Sequence, residues 1–284
     1  MPVVRHWQCG SRNFSLDRPL VMGILNVTPD SFSDGGEHNS FQSAVAWGRM
    51  MVAQGADIVD VGGESTRPNA EPVSEQEELD RVIPVVEALS GQGCSVSVDT
   101  SRASVMLESV KAGACILNDV RAFTEPGALD AAASTDAGLI IMHGWKAAEE
   151  DRRQAGEGSL IESIIGYLKA RQTLLESKGV DPARICWDPG FGFGKTVRQN
   201  FEILAATSRF VKEGQPFLMA LSRKSSLGAV TGVEVPARRV AASVAGALIA
   251  IERGAQLVRV HDVAETIQAI KVLQAVRSSS DNKQ

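Results

Sequence analysis

Clustered basic charge is the first thing this chain lacks: 29 Lys and Arg stand against 34 Asp and Glu, a formal net charge of -5. That balance argues against a general nucleic-acid binder, whose phosphate affinity rests on clustered Lys and Arg. It leaves room for a local anion site made from a few cations and backbone N–H groups. Cysteine and histidine are also scarce, four of each in 284 residues. Cys9, Cys94, Cys115 and Cys186 are far apart and include no Cys-x-x-Cys. They read as small core hydrophobes in a reducing cytosol rather than as a disulfide or metal framework. The histidines are not paired at ligand spacing, which argues against a His-rich metal centre. No apolar run is long enough to span a membrane, and no basic-then-apolar N-terminal segment precedes a small-residue cleavage site. The expected location is therefore the cytoplasm. No Ser-His-Asp or Cys-His arrangement stands at a suggestive place.

What is present is ordinary globular material, 44% hydrophobic and 22% charged, with enough apolar surface for a large core. Short apolar runs alternate with longer amphipathic stretches. The runs are Val21–Asn26, Ile58–Val61, Val96–Asp99, Ile116–Asp119, Leu139–Met142, Ile185–Asp188, Phe217–Ala220 and Leu257–Val260. They are too short for helices and show little in/out alternation, as strands buried on both faces of a parallel sheet do. Helical spacing marks Phe41–Gln54, Ser74–Leu89, Ala103–Ala112, Gly127–Thr135, Ile161–Lys178, Arg198–Val211, Ala237–Arg253 and Val263–Ala275. Ser74 with Glu77 makes a capping box, and Ser101 is placed to cap the next helix. Gly-Ala recurs as helix gives way to strand, in QGADIVDVG, KAGACILND and RGAQLVRVH, hinting at one unit used repeatedly.

Eight strand–helix units predict an α/β fold, a single (βα)8 TIM barrel over residues 1–284. A doubly wound open sheet accommodates the same alternation, but eight nearly equal units favour closure. Met1–Arg18 stands outside the count and is expected as a short hairpin across the barrel's lower end. Residues 277–284, RSSSDNKQ, read as a disordered tail. Thr28–Ser40 and Gly62–Pro72 are long Gly/Pro/Ser loops after strands, a place where binding lids are found.

The chemistry lies in how the strands end: Asn26, Asp60, Asp99, Asn118-Asp119, His143, Asp188, Ser222-Arg223-Lys224 and Arg259-Val260-His261-Asp262. In a parallel barrel these converge on one rim, where active sites of this fold lie. Any one of them reads equally well as a helix cap or loop hydrogen bond. Eight out of eight is hard to ascribe to capping alone. Asp99 and Asp188 with the amide of Asn118 suit a planar heterocycle carrying adjacent N–H donors. Lys224 adds a cation, and Arg259 and His261, two apart on one strand end, face the same side and suit a multiply charged anion. GFGFGKT at Gly190–Thr196 resembles a phosphate-binding P-loop, but that motif needs Gly where Pro189 stands. A structural role is expected instead, with the glycines shaping the strand exit and Lys195 solvated.

These same segments carry a family resemblance. LVMGILNVTPDSFSDGG at Leu20–Gly36 and GADIVDVGGESTRPNA at Gly55–Ala70 are similar to the two signature segments of bacterial dihydropteroate synthases. SVDTSR, LNDVRAF, DPGFGFGKT, SRKSSLG and RVHDV follow in the family's order, so the likeness spans about Leu20 to Val276. It implies transfer of a pterin-methyl group from its diphosphate to 4-aminobenzoate in folate synthesis. It further implies pterin contacts at Asp99, Asn118, Met142, Asp188 and Lys224, a substrate contact at Phe193, and a Mg2+ contact at Asn26. Arg259 and His261 match the diphosphate site. Thr66, Arg67, Pro68 and Ser222 border the aminobenzoate position, with Thr28, Asp30, Ser31, Phe32 and Asp34 on a loop lid. Arg259, His261, Lys224 and Asp99 are the expected catalytic residues, and Phe32, Ser65 and Pro68 the places to look for sulfonamide sensitivity. The family is usually a homodimer packed on late helices, here the Ala237–Arg253 stretch, which serves equally as barrel wall.

The chain departs from the pattern in two places. LIIMHGWKAAEEDRRQ lacks the family's usual extension between Met-His and Gly, and Asn69 replaces a common Gly. Two other readings share the pterin-site features: a pterin barrel serving methyl transfer, and a non-catalytic pterin-binding paralogue. The first has no reason to carry both NVTPDSFSDGG and the SRKS and RVHD segments, and the second none to keep both lids and the anion residues.

Overall fold

The computed structural model describes residues 5–27, 36–64, 73–144, 146–149 and 159–281. An antiparallel hairpin comes first, β1 (His6–Cys9) and β2 (Arg12–Ser15). Eight parallel strands follow: β3 (Leu20–Asn26), β4 (Ile58–Gly62), β5 (Val96–Asp99), β6 (Ile116–Asp119), β7 (Gly138–Met142), β8 (Ile185–Asp188), β9 (Leu218–Met219) and β10 (Leu257–Val260). Each pairs with its predecessor from β3 to β8, while β10 joins β3 on one side and β9 on the other. The ring closes between β8 and β9 through a parallel bridge from Trp187 to Phe217 and the Trp187 N–H to Pro216 carbonyl bond of 2.9 Å. The result is the eight-stranded barrel with outer helices that the alternation predicts.

Period two decides which side chains enter the barrel. Val59, Val61, Val96, Val98, Val258 and Val260 pack outward in one cluster under the helices. Leu117, Leu139, Ile141, Ile185, Trp187, Met219 and Leu221 do the same in a second. Their alternates therefore point inward. The lower interior is apolar, filled by Leu20, Met22, Ile58, Cys115, Ile116, Ile140, Cys186, Leu218 and Leu257. The hairpin closes this end with Trp7 and Cys9, and the Trp7 indole donates to the Arg184 carbonyl at 2.9 Å. Cys9, Cys115 and Cys186 are buried free thiols, and burial pushes the thiols of Cys9 and Cys186 well up.

The helices follow the expected spans with four informative differences. Ser74 caps Glu75–Ser90 through the full capping box with Glu77. Ser101, by contrast, caps nothing: Ala103–Lys111 begins at Arg102, and the Ser101 hydroxyl donates to Asp119 at 2.5 Å. The 198–211 stretch is two helices, Val197–Ala205 and Thr207–Val211, parted at Ala206. A short helix, Ser225–Thr231, follows β9 where none is expected. The last helix runs from Val263 to Asp281, past Val276. Arg277 donates to the Ile251 carbonyl there, and Ser278 and Ser279 bond back to the helix, so a polar segment expected as a disordered tail stays helical to Asp281.

Candidate active site

Above the apolar floor, the inward positions turn polar. Asp60, Asp99, Asn118, Met142, Asp188, Ser222, Arg259 and His261 each share the inward parity of their strand. Asp119, His143 and Asp262 also end strands but have the opposite parity, so three of the polar strand ends serve the wall instead. Asp119 accepts from Ser101, from the Arg121 N–H at 2.8 Å and from the Phe123 N–H at 2.6 Å, fixing a turn with positive φ at Ala122 and Phe123. His143 lies edge-on to Tyr167, 5.1 Å between centroids. Asp262 accepts from two nitrogens along one edge of the Arg223 guanidinium, its Nε at 3.0 Å.

The inward carboxylates surround one cation. Arg259 donates from Nε to Asp60 Oδ2 at 2.6 Å and from its terminal nitrogen to Asp99 Oδ2 at 2.9 Å. Asn118 donates to the same Asp60 oxygen at 3.3 Å. Burial works against the Arg259 charge, but Asp60 and Asp99 more than offset it, and its pKa is raised. Asp99 is pushed up to about 7, first by burial, with Arg259 opposing and Asp60 reinforcing the rise. Arg259 therefore lies between Asp60 and Asp99, the second of them a carboxylate of the expected pterin half. Asp60 was visible as a strand end but carried no assigned role; the pairing of Ile58 in the floor with Asp60 two residues on is the signal that turns it inward.

Asp188 and Lys224 form the other wall. The Gly190 N–H donates to Asp188 Oδ1 at 2.7 Å. Burial raises the Asp188 pKa against the pull of Lys224. Burial also lowers Lys224 to about 8, with Asp188 opposing. The Lys224 ammonium donates to the Phe191 carbonyl and sits 4.5 Å from the centre of the Phe193 ring. Its stem passes over Gly192, where φ is +84° and a Cβ would come within 2.7 Å of Lys224 Cδ. Within GFGFGKT, Gly192 is the glycine that lets the Lys224 stem pass. Lys195 is half-buried, not solvated: its ammonium donates at 3.0 Å to the carbonyls of His143, Gly190 and Phe193. It staples the loop that carries Phe193 onto the end of β7.

At the third side, the Ser222 hydroxyl accepts from the His261 N–H at 3.2 Å and lies 3.1 Å from His261 Nδ1. Asn26 is exposed on β3, the strand beside β10. A cavity of about 260 Å³ opens from Asp99 and Phe193 toward the loops after β5, β6 and β7, lined also by Glu64, Ser101, Arg121 and Tyr167. It adjoins the polar ring rather than containing it: Asn118, Asp188 and Ser222 are buried beneath. Thr28, Asp30, Ser31, Phe32 and Asp34, with Ser65, Thr66, Arg67, Pro68 and Asn69, lie outside the described residues.

Comparison with known proteins finds relatives that match over nearly the whole chain. The "Pterin binding enzyme" family profile matches residues 22–261. The dihydropteroate synthase of Escherichia coli K12 is 44% identical over 272 residues, covering 95% of this chain and 96% of that one. Among solved structures, the Xanthomonas albilineans dihydropteroate synthase with 4-aminobenzoic acid superposes with a TM-score of 0.90 at 46% identity, covering 96% of this chain and 98% of that one. The same enzyme in complex with 7,8-dihydropteroate gives a TM-score of 0.87 at 45% identity with the same coverage.

Proposed function

The chain belongs to the pterin binding enzyme family and acts as a dihydropteroate synthase; from that premise we propose how its own residues carry the reaction. It joins (7,8-dihydropterin-6-yl)methyl diphosphate to 4-aminobenzoate, giving 7,8-dihydropteroate and diphosphate in folate biosynthesis. The observation that carries the residue assignment is the inward set of Asp99, Asn118, Asp188, Lys224 and Arg259, in which acceptors for ring N–H groups stand beside cations.

The pterin ring takes the carboxylates of Asp99 and Asp188 and the amide of Asn118, with Met142 on its face and Lys224 at a ring oxygen or nitrogen. The methylene C–O bond breaks first, and its electron pair leaves with the diphosphate. Arg259 and His261 stabilise that departing charge, the electrostatic contribution expected to be largest. The ring delocalises the cation left behind, and Asp99 and Asp188, when ionised, favour it. The aromatic amine then forms the C–N bond with its lone pair and gives up one proton, so no protein nucleophile is required. Phe193 packs against the Lys224 ammonium and shields that side from water.

Asn26 fits a Mg2+ ion of the kind the family resemblance implies. Mg2+ keeps several waters and takes one or two protein oxygens with substrate phosphates rather than an all-protein cage. Asn26 offers one exposed amide oxygen beside the strand of His261, and no cluster of three His, Cys, Asp or Glu competes for a metal among the described residues. Bound there with the diphosphate, the ion would neutralise leaving-group charge. A homodimer and a cytoplasmic location complete the reading. The Val240–Glu252 helix turns Gly246, Ala247 and Ala250 to the barrel, while Ile249 on it and Val272 and Val276 on the last helix stay exposed, an apolar face suited to a second copy. No helix among the described residues is long and apolar enough to cross a membrane.

Substituting Arg259→Ala or His261→Ala tests the leaving-group assignment, with diphosphate release as the assay. Each should cut turnover by about a hundredfold or more, the scale of losing one preorganised donor. Near-wild-type release in both would overturn the assignment.

A further inference from the structure

Asp60 lies outside every role given so far, yet it is the most buried charge of the site. It is fully buried, and its register partner on β5 is Ser97, one pleat below Asp99. One of its oxygens, Oδ2, receives both Arg259 Nε at 2.6 Å and the Asn118 amide at 3.3 Å. Asp60 is more deeply enclosed than Asp99, which borders the cavity. Its hydrogen-bonded neighbours are Arg259 and Asn118, and it acts through them.

The guanidinium is split between two carboxylates of different exposure. Its Nε edge is on Asp60, and its terminal nitrogen on Asp99, which borders the cavity. A heterocycle that brings a pair of N–H donors to Asp99 takes both of its oxygens, and so competes with Arg259 for Oδ2. A planar fork with five N–H groups can give up one bond and keep the other. We propose that Asp60 is a positioning residue, the pivot that holds Arg259 by Nε while the pterin, taking Asp99, releases the terminal nitrogen of Arg259 toward the diphosphate. This rests on the reading that Asp99 receives the pterin and Arg259 the leaving group.

The consequence is a coupling between two halves of one substrate. A bound pterin makes Arg259 available to an anion, and by reciprocity an anion frees Asp99 for the pterin. Without the charge of Asp60, Arg259 depends on Asp99 alone, and the pterin can displace it only by leaving a buried guanidinium unpaired. Anion capture and pterin capture then oppose each other or act independently.

The test is calorimetric titration of inorganic diphosphate, in Mg2+-containing buffer, into the full-length protein with and without saturating 6-hydroxymethylpterin. The wild type should bind diphosphate about tenfold more tightly when the pterin is present. In Asp60→Asn that enhancement should fall below about twofold, while a thermal melt shows the fold retained. In turnover the same variant should lose kcat more than it raises KM for the aromatic amine. Independent binding of the two ligands to the wild type overturns the proposal without any variant, and so does an Asp60→Asn protein with undiminished coupling. Arg259→Ala separates the two levels of argument: if it binds diphosphate as the wild type does, the leaving-group assignment itself has failed; if it binds weakly while Asp60→Asn keeps the coupling, only the pivot has.

Discussion

The rate of this enzyme should depend on pH as a narrow bell, because the two groups that must be charged in opposite senses are both shifted toward neutrality. Asp99 has to be a carboxylate to accept pterin N–H groups, and burial pushes it up to about 7 against the pull of Arg259. Lys224 has to be an ammonium, and burial brings it down to about 8 against the pull of Asp188. With those values the doubly charged site peaks midway, near pH ~7.5, where about 60% of molecules carry both charges, and the rate falls about tenfold per pH unit beyond either limb. The limbs belong to the interacting set as a whole, so substitutions assign them better than their positions do. Asp188→Asn removes the charge that holds Lys224 up, and the alkaline limb should move down. Asp60→Asn removes a charge that raises Asp99, and the acid limb should move down with it. The assay is kcat/KM for diphosphate release from about pH 5.5 to about 9.5, with each variant beside the wild type. A flat profile between about pH 6 and about pH 9 would refute the reasoning, as would an alkaline limb unmoved in Asp188→Asn.

Two further predictions concern the scaffold. Gly138 opens β7 against the hairpin, and a Cβ there would fall 2.3 Å from Cys9 Sγ and 3.2 Å from the Trp7 ring. Gly138→Ala should therefore cost about 1–3 kcal/mol in chemical denaturation, as overpacking does, while leaving kcat near the wild-type value because the hairpin lies at the opposite end of the barrel from the site. Undiminished stability would mean that the hairpin does not pack on the floor. Lys195→Met removes the ammonium that bridges three carbonyls and should cost about 2 kcal/mol. It should also raise KM for the substrates several-fold, since Phe193 loses its anchor; an unchanged KM would reduce Lys195 to a purely structural role.

The barrel was legible because strands buried on both faces leave little alternation, and eight of them with intervening helical stretches admit few folds. Converging strand ends were legible for the same reason. Their direction was less so. Whether Asp119, His143 or Asp262 points in or out depends on where each strand starts counting, and a shift of one residue turns a site residue into a wall residue. The parity became plain only once Leu117, Ile141 and Val260 were seen packed under the helices. Nor does local spacing report that Arg259 bridges Asp60 and Asp99, 199 and 160 residues away. A charged residue in a glycine-rich loop carries no local sign that carbonyls will turn onto it, as those of His143, Gly190 and Phe193 do onto Lys195. The lid residues from Thr28 to Asp34 and from Thr66 to Pro68 fall outside the described residues, so their part in the site rests on the family resemblance.

The central claim is that the strand-end ring carries transfer from a pterin-methyl diphosphate to an aromatic amine. It is tested most directly by following diphosphate release from purified protein with and without 4-aminobenzoate, and dihydropteroate in the same samples. The account predicts one dihydropteroate for each diphosphate when the amine is present, and much slower release without it, because the site excludes water from the cation. Equal release in the two samples, or none in either, would contradict it.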